Sequence, residues 1–218
     1  MIKLHIFAIN GVVINTDCNV SWKEFLVKEG LAPADAARTA AEFQRSIAAG
    51  TADAEAFGSF LLKEFTGKSK PEIMKIAAKH FEEKIKPAVS QAAFDYIKAL
   101  IRKGESVAFI SSIDTANAYH IALHFGVSDA IAIGSKIEND AFSGVPSDTC
   151  PIGSGKLFQL GRICERRNIT PAEVAVYASG MEDLPLLNAA GNKIAVNPSA
   201  ELADYAQKAS WQIINWAE

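Results

Sequence analysis

KLHIFAINGVVINTD, residues 3–17, opens with an apolar run rich in Ile and Phe that breaks at Asn10-Gly11. That pattern reads as a strand over 3–9 running into a turn. From Ser21 to about Lys86 the pattern is helical, with apolar residues at three-and-four spacing. Successive faces carry Trp22, Phe25 and Leu26; Ala36, Ala40, Phe43 and Ile47; Phe57, Phe60, Leu61 and Phe65; then Ile73, Ile76, Ala77 and Phe81. Asp35, Asp53 and Ser69 lie near the starts of these segments, where a side-chain oxygen caps orphan amides. The aromatic residues are expected in the core of a helical bundle.

A second regime starts near Ala88. Helix 89–103 ends at Gly104, strand 106–111 follows, and a helix from Thr115 to Phe125 stops at Gly126. Next come strand 130–134, a hairpin around Asn139–Gly144, helix Gly155–Arg167, strand 173–179, helix 182–189, strand 193–197, helix 199–208 and a strand near Trp211–Ile214. Continuous apolar strands alternating with helices indicate a parallel α/β sheet. The strand at 3–9 buries nothing alone, so it joins this sheet and the helical block becomes an insertion. The expected fold is an α/β, Rossmann-like parallel sheet core (1–16 and 88–218) with an inserted helical-bundle cap (17–87).

Of the 218 residues, 49% are apolar, which suffices for such a core, and the net charge of −3 comes from interspersed signs. No polybasic footprint for nucleic acid or anionic membrane is present. Cys18, Cys150 and Cys164 have neither metal-ligand spacing nor a disulfide framework. The apolar run ending at Ile9 is too short for a secretory signal, and no later run reaches membrane-spanning length. A cytoplasmic protein is the expectation.

Open parallel sheets bind ligands beyond the carboxyl ends of their strands. The positions to consider are therefore Ala8–Val12, Ser111–Asp114 and Ser179–Asp183, with Lys156 after a Gly-Ser-Gly stretch. In that order, IFAINGVVINTD (6–17), FISSID (109–114), GSGK (153–156) and YASGMEDLPLL (177–187) resemble the four motifs of the haloacid dehalogenase-like superfamily. AGNKIAVNPSAEL (190–202) extends the likeness, and the segments after motif one and before GSGK are similar to its phosphoserine-phosphatase-like, helical-cap branch.

The resemblance implies a phosphoryl-transfer site: an attacking aspartate, an acid/base aspartate two residues on, magnesium held by carboxylates, and a Ser/Thr and lysine on the phosphate. Here the nucleophile position is Ala8, the acid/base position is Asn10, and the metal-carboxylate position is Ser179. Val12 stands where the family usually carries Thr. The retained positions are Ser111, Lys156 and Asp183, and with Gly11 and Ser112 they form the expected phosphate or ligand site, helped by amides near Gly11 and after Gly155. The implied state is a catalytically inactive homologue with no metal and no cofactor. It retains binding of phosphate or a phosphorylated small molecule, and its protein partner is unknown.

Two other readings stay open. One is an active phosphomonoester hydrolase with a non-standard site, for which Asp17, Cys18 or Asp114 is the alternative nucleophile. Cys18 has no nearby His or basic run and reads as inert. The other is an interaction or regulatory role for the cap. His120 and His124 have zinc-compatible spacing without a third ligand, and a partly packed helix face is the simpler reading.

Overall fold

The computed structural model describes residues 1–216. Six parallel strands form one sheet: β1 (Leu4–Ala8), β2 (Val107–Asp114), β3 (Asp129–Ile133), β6 (Val174–Ala178), β7 (Asn192–Val196) and β8 (Gln212–Ile214). Their spatial order is β3-β2-β1-β6-β7-β8. A separate antiparallel hairpin, β4 (Ser135–Glu138) and β5 (Ala141–Pro146), turns at Asn139 and Asp140, both with positive φ.

The helices after β1 are α1 (Cys18–Lys28), α2 (Ala36–Ala48), α3 (Ala54–Leu62) and α4 (Lys70–His80). The sheet region adds α5 (Gln91–Arg102), α6 (Thr115–Phe125), α7 (Ser154–Arg167), α8 (Leu184–Ala189) and α9 (Ala200–Lys208). This is an α/β fold with a helical cap. Strands β1, β2 and β6 are buried on both faces, which is why they read as unbroken apolar runs. Among the described residues no helix is long and apolar enough to cross a membrane.

The apolar residues separate into two clusters. One fills the sheet and its covering helices. The other joins Trp22, Phe25, Phe57 and Phe65 to Ala116, Ile133 and Ile152, so the cap core runs onto the sheet domain without a break. Phe43 and Phe60 pack only partly buried against that second cluster. Phe81 departs from expectation. It lies in the sheet-side cluster beside His124, because α4 continues through a π-helical turn (Phe81–Ile85) that carries it past the bundle.

Capping follows the sequence at two of the three expected positions. Asp53 accepts the amides of Glu55 and Ala56, and Glu72 accepts the Ser69 amide at 2.8 Å. Asp35 caps nothing, since its own backbone is already helical (φ −90°, ψ −1°) and its carboxylate lies near Arg38. Inside the cap, fully buried Lys23 donates to the carbonyls of Phe60 (2.8 Å) and Leu61 (3.2 Å) and pairs with Glu64. Its cation thus meets the orphan carbonyls and negative end of α3.

Candidate functional site

Strand β1 has β2 on one side and β6 on the other, so the strand order reverses about it. The carboxyl ends of these three strands surround the crevice where a ligand fits an open parallel sheet. Past Ala8 the chain turns sharply, with the amides of Val12, Val13 and Ile14 all directed at the Ile9 carbonyl. Gly11 takes φ +72° in this turn, and a Cβ there would sit 2.6 Å from the Ser179 Oγ. Both constraints favour glycine.

A cavity of about 350 Å³ opens at these strand ends, between the sheet and α2. Ala8 lines it from the end of β1 and Asn10 from the turn after it, Ser111 and Ser112 from β2, and Lys156 and Asp183 from α7 and the turn before α8. The cap contributes Gln44, Arg45 and Ile47, and Asp17 and Glu182 complete the polar lining. A larger open groove of about 540 Å³ runs between β3 and α7 but contains none of the motif residues. The chemistry is concentrated in the smaller space.

The β1–β6 side of the cavity is closed by hydrogen bonds within the protein. Ala8 presents a methyl group and is buried. The Asn10 side-chain oxygen accepts the Cys18 amide at 3.3 Å, which ties the turn to the start of α1. The Ser179 hydroxyl donates to the Asn10 backbone carbonyl at 3.2 Å. Val12 is fully buried in the sheet cluster rather than at the cavity.

The opposite side keeps open polar groups. Ser111 and Ser112 are 5% and 8% exposed, and neither hydroxyl is bonded to a described residue. Lys156 and Asp183 form a buried ion pair. Removing two such charges from water is costly, and their close contact offsets that cost. Asp17 caps α1 through the amides of Asn19 (2.9 Å) and Val20 (3.0 Å) and accepts from Gln44 at 3.3 Å. Burial pushes the carboxyls of Asp17 and Glu182 above the usual range, and for Glu182 the neighbouring Asp183 adds to it.

The structure therefore brings six of the expected positions to one cavity: Ala8, Asn10, Ser111, Ser112, Lys156 and Asp183. Gly11 and Ser179 stand behind the wall. The expected anion-holding amides are a correction. The Gly11 amide bonds the Ile14 carbonyl (2.9 Å), and those of Gly155 and Lys156 bond Ile152 (2.8 Å) and Gly153 (3.1 Å). The tight turns that place these residues use up the donors.

Burial pushes the Cys18 thiol well up, which disfavours the thiolate a nucleophile needs. Asp114 is occupied as the cap of α6, accepting from Ala116 and Asn117. His120 bonds the Met74 carbonyl and His124 packs between Phe81 and Phe94, a partly packed helix face. Gln44, Arg45 and Glu182 were not foreseen. The first two lie between Phe43 and Ile47, whose spacing identifies a helix but not the surface on which it docks. Glu182 was readable from its place beside Asp183 in the fourth motif.

A family model described as haloacid dehalogenase-like hydrolase matches residues 6–188. Histidinol-phosphatase from Neisseria meningitidis serogroup C is 29% identical over 223 residues, covering 99% of this chain and 100% of that protein. A phosphoserine phosphatase of Mycobacterium tuberculosis is 23% identical over 79% of this chain, which spans only 54% of that relative's length. Among solved structures, a protein of unknown function from Bordetella pertussis superimposes with a TM-score of 0.88 at 24% identity, covering 100% of both chains. A substrate-bound phosphoserine phosphatase gives 0.67 at 18% identity, covering 98% of this chain and 93% of that one. At these identities the two structural likenesses are of fold.

Proposed function

Because the chain belongs to the haloacid dehalogenase-like hydrolase family, yet carries Ala8, Asn10 and Ser179 where its chemistry needs carboxylates, we propose that it binds phosphate or a phosphorylated small molecule without turning it over. The observation that carries this reading is that Ser111 and Ser112, with no side-chain hydrogen bond to a described residue, line the same cavity as Lys156. Hydroxyls open to a cavity can donate to an anion, as can an ammonium that still has donors to spare beside Asp183.

Magnesium does not suit this donor set. It demands octahedral oxygen ligands and dehydrates reluctantly. The Asn10 carbonyl and the Ser179 side chain, which the family resemblance turns toward the metal, are bonded to each other instead. Asp183 is held by Lys156.

The unpaired sides of Asp17 and Glu182 favour a ligand whose phosphate is accompanied by a cationic group. The Neisseria relative is named for such a substrate, since histidinol phosphate carries an amine. The three cysteines are free and buried, which supports a reducing, cytoplasmic setting. Calorimetric titration of inorganic phosphate against the protein and Lys156→Ala tests the reading. Binding by the unmodified chain and its loss in the variant are expected, and identical flat traces overturn it.

A further inference from the structure

The two serines sit where the sheet stops holding its own strand. Pairing of β1 with β2 ends at Ala8 and Ile110. On the other side Ile110 faces Ile131 and Asp114 faces Ile133, so β2 advances four residues while β3 advances two. Residues 111–113 form a bulge that turns Ser111 and Ser112 toward the cavity but takes their backbone out of the ladder.

The cap supplies what the ladder lacks. Asn19, on α1 and 1% exposed, donates its side-chain amide to the Ser112 carbonyl at 3.3 Å. Two residues on, Asp114 accepts the amides of Ala116 and Asn117, each at 2.9 Å, and the Asn117 Nδ2 at 2.6 Å. A carboxylate only accepts, so Asn117 presents its oxygen to His80 Nδ1, 2.7 Å away, and that nitrogen donates. His80 Nε2 is then left to accept the Ser21 hydroxyl at 3.0 Å. This chain is buried throughout and runs from α1 and α4 to the end of β2.

We propose that Asn19, backed by the Ser21–His80–Asn117–Asp114 chain, is a positioning residue that fixes the β2 bulge and aims Ser111 and Ser112 at the bound anion. The proposal rests on the anion-binding reading above for its consequence, though not for its geometry. The cap thereby orders this side of the site.

Two variants and two measurements test it. Asn19→Ala removes the donor. Asn19→Asp keeps the shape and puts an acceptor against the Ser112 carbonyl. Amide hydrogen exchange of residues 111–113 is expected to rise at least about tenfold in both, with the rest of α1 unchanged, as the loss of one buried hydrogen bond implies. Affinity for inorganic phosphate is expected to fall by a similar factor. An Asp variant that matches the wild type in exchange overturns the proposal, as does local loosening with unchanged phosphate affinity. If the unmodified protein binds no phosphate, the anion reading fails, and the exchange measurement still decides whether Asn19 fixes the bulge. Asn117→Ala, read the same way, covers a variant of Asn19 that does not fold.

Discussion

On the β1–β6 side of the cavity, the polar groups of Asn10 and Ser179 are spent on the protein itself, while across it Ser111 and Ser112 line the cavity with hydroxyls that make no such bond. Both sides sit at the carboxyl ends of neighbouring strands in one sheet. The difference lies in the side chains. Where the family resemblance implies carboxylates, Asn10 and Ser179 are short neutral groups hydrogen-bonded within the protein. Ser111, Ser112 and Lys156, the positions proposed to hold phosphate, line the cavity from the other side. On the proposed reading, binding without catalysis is possible because the two sets of positions are held by different elements.

The strongest test of this contrast is to rebuild the closed side. Combining Ala8→Asp, Asn10→Asp and Ser179→Asp is expected to give magnesium-dependent hydrolysis of an aryl phosphate at least about 10³-fold above the unmodified chain, since these groups act as a unit. Clear turnover by the unmodified chain would abolish the distinction between the two sides.

On the open side, Asp183→Ala leaves the Lys156 ammonium buried without its partner, a loss expected to cost about 3–5 kcal/mol in urea unfolding. Asp17→Ala removes a helix cap and is expected to cost only about 1 kcal/mol.

The fastening behind the open side responds to acid. Burial, the largest cause, holds His80 down at about 4, against 6.5 in the unfolded chain. As pH falls below the unfolded value, the unfolded chain takes up the proton first. The stability contribution is therefore full above about pH 6.5 and declines as pH falls toward 4, by on the order of 3 kcal/mol. Denaturation midpoints measured between pH 7 and 4.5 are expected to flatten in His80→Gln.

A further small effect belongs to the turn on the closed side. Gly11→Ala meets both the positive φ and the Ser179 hydroxyl, and is expected to destabilise by about 1–2 kcal/mol. The double variant with Ser179→Ala relieves the contact and leaves the backbone term. Equal losses in the single and double variants would show that the Ser179 contact contributes nothing.

The strands, the helix stops at Gly104 and Gly126, and the clustering of the four motifs were legible because each depends on local spacing or on backbone conformation. The missing carboxylates were legible for the same reason, being residue identities at strand ends. Strand β2 was read as ending at 111 and in fact continues to Asp114, because tertiary contacts with the cap hold a bulged segment that local pattern does not signal. Phe81 looked like a bundle residue because helical periodicity says which face is apolar and not what that face meets. The amides near Gly11 and Gly155 looked free because a glycine motif does not reveal that its turn consumes its own donors.

The sequence by itself determined the sheet, the inserted helices and which catalytic positions carry no acid, since these follow from apolar period, turn chemistry and side-chain identity. Only the tertiary structure decided that Ser179 bonds the Asn10 carbonyl, that Asn19 holds Ser112, and that Arg45 and Glu182 face the same cavity. Those pairings join residues as far apart as 169 positions along the chain. They depend on how α1 and α2 dock across the strand ends, which no local pattern encodes.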